Sequence, residues 1–229
     1  MPADPIEYHQ PVEEYLETIL ALSEEGVPVI QARIAERLGR SAPSVSEMLE
    51  RLIDEGYVTR ERRRLDLTPT GRQLAEKVVR KHRLAERLLV DVIGLEWHKV
   101  HREAGRWEHV ISDDVEARLV ELLGDPATCP HGNPIPGSHS PAPTAPTRPL
   151  ATVGPGERVR LLRISEEVEL NLGSLTLLGE GGFIPGVVAV VGGTDGDGNV
   201  EVVVETEPAA LVPLRVPASL TDRLFVGQP

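Results

Sequence analysis

From about Val12 to Lys81 apolar residues recur at three- and four-residue intervals, which predicts helices, and a basic cluster, "TRERRRLDL", lies inside the run. The helical period continues to about Leu123. It then stops at "PHGNPIPGSHSPAPTAPTRPL", whose prolines remove backbone donors and favour extended chain, so the stretch reads as a linker. Beyond it the period shortens. "ERVRLLRI", "SLTLLG", "GVVAVVGG", "NVEVVVET" and "LVPLRV" are short runs between Gly, Asp and Asn turns such as "GGTDGDGN". They predict about five strands closing on themselves as a small barrel.

The most specific local pattern is "IQARIAERLGRSAPSVSEMLERLIDEGYV". Ile34, Ala35 and Leu38 form one apolar face, Gly39 suits a left-handed helix end, and Ser41 offers an N-cap before Pro43. Val45, Met48, Leu49 and Leu52 resume the helical spacing. This predicts a helix-turn-helix. The N-terminal end of the second helix enters the major groove in such motifs, which brings Ser41, Pro43, Ser44, Ser46 and Glu47 nearest the DNA. No arginine stands in that first turn for a bidentate guanine contact, so part of the readout falls to DNA shape. After Gly56, "YVTRERRRLDLT" predicts a hairpin wing with Arg60, Arg62, Arg63 and Arg64 near its tip. Arg33, Ala42, Arg51 and Arg64 complete the candidate DNA-binding set.

Charge refines this picture. The net charge of −12 over 229 residues argues against a generally basic nucleic-acid binder, but from Glu157 onward acids outnumber bases, so the C-terminal block carries much of the negative charge. No run approaches the roughly 18 apolar residues of a membrane span, and "MPADPIEYHQ" lacks the pattern of a signal peptide, so a cytoplasmic protein with no membrane partner is expected. The single cysteine, Cys129, excludes a disulfide framework and a multi-thiolate zinc knuckle. Any metal would be bound mostly by histidine and carboxylate.

Such residues cluster on the second helical stretch. His82 and Glu86 are four apart, and "KVHREAGRWEHV" places His101, Gly105, Glu108 and His109 at steps of four, three and one. On a continuous helix the two imidazoles of that stretch would lie on one side. Imidazole and carboxylate donors suit divalent first-row ions. His9, His98, His131 and His139 read as ordinary solvated or hydrogen-bonded histidines. With no nucleophile elbow, phosphate loop or "HExxH" segment, the chain is not expected to be an enzyme.

The segments "ARIAERL", "SAPSVSEMLERL", "LTPTGRQLAEKVVRKHRLAERLL", "KVHREAGRWEHVISDDVEARL" and "HGNPIPG" resemble the diphtheria toxin repressor and iron-dependent regulator family, closely over residues 12 to 137 and more weakly beyond. The resemblance implies a multidomain α+β protein. Its parts would be a winged helix-turn-helix over 1–74, a helical dimerisation and metal-binding domain over 75–135, a proline-rich linker over 136–150 and an SH3-like (FeoA-like) β-barrel over 151–229.

The resemblance further implies two metal sites per subunit. The ancillary one would be His82, Glu86 and His101 with Glu166 and Glu169 of "ISEEVEL", where the iron-type pattern has glutamate then glutamine. The primary one would use Glu108 and His109, but the iron-type methionine is Glu14 and the iron-type cysteine is Gly105, which offers only its carbonyl. Carboxylate in place of sulfur, with Glu14 and Glu17 where the manganese-responsive branch has acids, favours Mn(II) over Fe(II). That branch also has a carboxylate at the Gly105 position, so the match to it is incomplete. As corepressor, the metal would join the DNA-reading domain to a homodimer core and fix the spacing of the recognition helices on operator DNA, with two dimers per operator. The competing expectation is a winged-helix regulator that ignores metal and uses its barrel as a ligand or peptide module.

Overall fold

The computed structural model describes residues 6–140, 146–205 and 213–229, with side chains from Pro11 onward. Its contacts divide the described chain into two compact units, one running to His82 and adding Gly105–Glu116, the other formed by Arg83–Ala104 and Ala117–Pro229.

The first unit begins with α1 (Ile6–Glu24), α2 (Gln31–Leu38) and α3 (Ala42–Asp54). Tyr15, Leu16, Ile19 and Leu20 of α1 pack with Ile34 of α2 and Val45, Leu49 and Leu52 of α3 in one buried core. Gly39 ends α2 at φ 61°, a left-handed conformation in which a side chain would be strained. Ser41 then caps α3 by accepting from the Ser44 amide at 3.4 Å, with Pro43 in the first turn. The local signals in the sequence thus produce the expected helix-turn-helix. The wing follows as β1 (Val58–Glu61) and β2 (Arg64–Leu67), an antiparallel hairpin with Arg62 and Arg63 at its tip. Val58 and Leu65 turn inward to the helices while the arginines stay outside.

α4 (Pro69–Arg87) starts in the first unit and continues into the second, where a wider helical turn, Leu88–Ile93, ends it at Gly94. A 3-10 turn at Trp97–Lys99 leads into α5 (Val100–Trp107), and α6 (Asp113–Leu123) follows. In the first unit Arg80 of α4 pairs with Glu116 of α6 at 2.7 Å, and Lys77 and Lys81 hold Asp113 at 2.9 and 3.0 Å.

In the second unit, β3 (Arg148–Pro149), β4 (Arg158–Ile164), α7 (Glu166–Glu169), α8 (Leu172–Glu180), β5 (Val188–Thr194), β6 (Val200–Val204), β7 (Pro213–Val216), α9 (Ala218–Thr221) and β8 (Leu224–Gly227) follow in order. The strands form one antiparallel sheet in the order β3-β8-β4-β5-β6-β7. Its apolar interior is the SH3-like core, filled by Leu161, Val191, Val202, Leu224 and Val226 around Phe183.

Two features differ from the sequence expectation. "SLTLLG" is not a strand but lies in α8: Asn171 caps this helix by accepting from the Ser174 amide at 3.0 Å, and Leu175 and Leu178 reach the core one turn apart. The strand completing the sheet is β8, at the chain's C-terminal end. The start of the proline-rich stretch is also not solvated linker, because Thr128 bridges Pro134 and His131, Asn133 and Ile135 are buried.

Candidate metal centres

Around α1, Glu17 lies about 40° from Glu13 and about 60° from Glu14, so the three acids share one side of the helix with Glu17 between the other two. Glu17 reaches His82 of α4 and Glu108, and these three offer ligand atoms all within 4.8 Å of one another. Glu108 and His109 occupy the turn just after α5 rather than the helix itself. That turn lets the buried Glu108 carboxylate serve two imidazoles, accepting from His82 Nδ1 and lying 3.1 Å from His109 Nε2. His109 Nδ1 in turn donates to Glu13 at 2.7 Å. Burial opposes the charge on Glu108, but hydrogen bonds from His109 and His82 hold its carboxyl well below the usual carboxylate range. The hydrogen bonds that His109 donates to Glu108 and Glu13 raise it to about 10.

Two residues expected at this centre do not enter it with a side chain. Glu14 is held by Arg40 at 2.6 Å. Gly105 sits inside α5, where a Cβ would meet nothing within 4 Å.

The second centre lies in the other unit. Glu86, Cys129 and His131 offer ligand atoms within 4.8 Å of one another, all buried. His101 Nδ1 stands 3.2 Å from Glu86 Oε1 and 3.1 Å from Glu169 Oε2, so three of the five residues expected at the ancillary site, Glu86, His101 and Glu169, converge. His82, expected with them, precedes Glu86 by one turn of α4 and bonds Glu108. Glu166, the first residue of α7, is half-buried and is not in the groups of ligand atoms described here.

His131 and Cys129 were not anticipated as ligands. They reach Glu86 because the Thr128–Pro134 turn is pinned to α4: Arg83 donates to the Pro134 carbonyl at 2.5 Å, and Arg87 to those of Thr128 and Cys129 at 2.7 and 3.2 Å. Gly132, at φ 88°, makes the turn possible, since a Cβ there would stand 2.0 Å from the Leu162 carbonyl oxygen. The Trp97 ring tilts against His131 at 4.8 Å between centroids, and Asn133 donates to Glu169 Oε1 at 2.5 Å. The Cys129–His131 spacing next to "HGNPIPG" was the available signal.

This donor set fits a divalent cation. His131 is fully enclosed and its Nδ1 lies 3.1 Å from Glu86 and 3.3 Å from Glu169, yet neither ring nitrogen makes a hydrogen bond. Two buried carboxylates facing each other are costly unless a cation sits between them. Without metal the proton takes that role: burial opposes it, but Glu86 and Glu169 raise His131 well above the ordinary range. Burial and the charge of Glu86 likewise raise the Cys129 thiol.

The residues expected to contact DNA are for the most part exposed. Ser41, Ala42, Pro43, Ser44, Glu47 and Arg51 of the α3 segment, with Arg33 and Arg64, face solvent, while Ser46 is half-buried.

Residues 8–64 match the model of the iron-dependent repressor N-terminal DNA-binding domain, and residues 68–137 that of the iron-dependent repressor metal-binding and dimerisation domain. The chain belongs to the iron-dependent repressor family. It is 44% identical over 215 residues to the iron-dependent repressor IdeR of Mycobacterium tuberculosis, covering 90% of this chain and 88% of that one. To the diphtheria toxin repressor of Corynebacterium diphtheriae it is 49% identical over 174 residues, 72% and 77% of the two chains. Among solved structures it is similar to a manganese-dependent transcriptional repressor in complex with manganese, with TM-score 0.83 and 30% identity over 95% of this chain and 99% of that one. This repressor is therefore a metal-dependent, DNA-binding transcriptional regulator of that family and not an enzyme. Among the described residues no helix is long and apolar enough to cross a membrane.

Proposed function

We propose that this repressor is a cytoplasmic sensor of Mn(II), in preference to Fe(II), with two metal centres per subunit. It acts as a homodimer, two dimers per operator, to silence genes of metal uptake. The observation that carries the reading is the placement of Glu17: the helix that opens the DNA-binding domain delivers a carboxylate to His82 and Glu108. An ion held there ties α1 to α4 and to the turn after α5, which favours one arrangement of the DNA-reading motif. Oxygen and imidazole donors, with no sulfur, support the harder Mn(II) at this centre. The second centre, with Glu86, Cys129, His101, His131 and Glu169 as donors, buttresses the turn against α4. Exposed Val92, Ile93, Val110, Val115 and Leu122 supply apolar surface for a second copy.

The test is an anisotropy titration of the metal-stripped chain on a labelled palindromic operator fragment, with Mn(II) and, anaerobically, with Fe(II), at one salt concentration. Binding that requires metal, at lower Mn(II) than Fe(II), is expected. Tight binding by the stripped chain, unchanged by either ion, would replace this reading with metal-independent regulation.

A further inference from the structure

The turn that carries Cys129 and His131 has its carbonyls held one by one. Arg87 donates to those of Thr128 and Cys129, and the Ile164 amide of β4 donates to that of His131 at 3.0 Å. The Pro130 carbonyl, between the two donor residues, accepts from Trp97 Nε1 at 3.0 Å. Trp97 opens the 3-10 turn before α5, and this one bond lets it grip the segment that joins Cys129 to His131.

The same side chain also packs on the imidazole. A ligating histidine ordinarily donates its second ring N–H to a carboxylate, carbonyl or water, and that bond fixes the ring. His131 has no such partner among the described residues: neither ring nitrogen makes a hydrogen bond. The ring is flanked instead by Trp97, 4.8 Å between centroids at 59°, and edge-on by His101 at 6.2 Å. Packing supplies the orientation. The indole touches the barrel as well. It packs on the apolar core there, and a Cβ on Gly179 of α8 would stand 3.4 Å from indole Cε3, in ordinary contact. A larger side chain at that position would press on the ring.

We infer that Trp97 is the positioning residue of the second centre: it seats the Cys129–His131 segment against Glu86, and through Gly179 it makes that seat depend on the packing of α8. The indole N–H is a donor only, so Trp97 acts through His131 and not as a ligand. Barrel packing and metal affinity are thereby coupled through one side chain. The inference rests on the reading of the second centre as a metal site.

The experiment uses the full-length chain, stripped of metal and titrated anaerobically with Co(II). Cys129 is the sole cysteine, so thiolate-to-cobalt charge-transfer absorption reports the second centre alone. The wild-type chain is expected to develop this band. Its absence there would overturn the metal reading of the centre, and this inference with it. Trp97→Phe keeps a ring against His131 but removes the donor to Pro130. It is expected to bind Co(II) at this centre about tenfold to a hundredfold more weakly, the range for side chains that orient a ligand, with a displaced band. A wild-type band and affinity in Trp97→Phe would overturn the inference and leave the metal site standing.

The barrel side is tested without altering Trp97. Gly179→Ala is expected to match wild type and Gly179→Leu to weaken Co(II) binding at the same band. In a Trp97→Leu chain, Gly179→Leu is expected to add nothing, because residues that act through one contact are not additive. Additive losses, or a Gly179→Leu titration identical to wild type, would overturn the coupling. Circular dichroism of wild-type strength in each variant separates these outcomes from unfolding.

Discussion

Glu86 Oε1 and His131 Nδ1 stand 3.1 Å apart in a fully enclosed pocket, and His131 has no hydrogen bond at either nitrogen. Asn133 fixes the opposite wall by donating to Glu169. A side chain that orients a ligand without touching the ion typically contributes tenfold to a hundredfold in metal affinity. If this centre holds Mn(II), Asn133→Ala should weaken its binding by about that factor and His131→Ala should abolish it, both read by calorimetry on the stripped chain. If both leave two equal equivalents, the second centre is not a metal site.

At the first centre, Gly105 leaves space that a side chain can use. Gly105→Glu is expected to add a carboxylate ligand and tighten Mn(II) binding. It should also stabilise the metal-free protein, because a helix-interior glycine costs about 1 kcal/mol relative to a good helix former. A higher Tm with unchanged metal affinity would mean that the position points away from the ion.

His109 sets a pH dependence. Hydrogen bonds to Glu108 and Glu13 raise it from 6.5 to about 10, so it is protonated at neutral pH and must lose that proton to ligate. Calorimetry in two buffers of different ionisation enthalpy should record proton release at pH 7.5, and apparent affinity should rise with pH toward 10. In the metal-free chain the sign reverses. A raised pKa stabilises the fold fully below the unfolded value of 6.5, and this contribution disappears as pH rises through about 10. Glu13→Gln should flatten both profiles.

Self-association is tested on the exposed apolar residues. Val115→Asp and Leu122→Asp place charge on surface that a second copy would bury, so sedimentation equilibrium should show a shift from dimer to monomer. Retention of the dimer in both would remove these residues from the interface.

The helix-turn-helix was legible because its signals are local: Gly39 ends one helix, Ser41 starts the next, and the apolar spacing does the rest. Only half of the second centre was legible, the half formed by Glu86, His101 and Glu169. His131 and Cys129 meet Glu86 only through tertiary folding of a turn whose prolines suggest extended chain, and Arg83 and Arg87 hold that turn by bonds to carbonyls, which leave no mark in composition. α8 was missed because four leucines in a short run satisfy either period, and the Asn171 cap decides between them. Resemblance pointed to both Glu14 and Glu17; the structure sets Glu17 beside His82 and Glu108 and pairs Glu14 with Arg40, a difference that spacing along α1 does not decide.

Five arginines of the DNA-facing unit come already matched. Arg33 pairs with Glu36, Arg51 with Glu55, Arg60 with Glu50, Arg64 with Asp66 and Arg40 with Glu14. Each is an exposed pair worth little to the fold, yet together they lower the positive field that would draw the protein onto any duplex. A regulator with a net charge of −12 and a self-neutralised reading surface spends little time on irrelevant sequence. Its search along a chromosome is then made of brief visits, and long residence is left to sites where enough phosphates and bases align to displace several carboxylates at once.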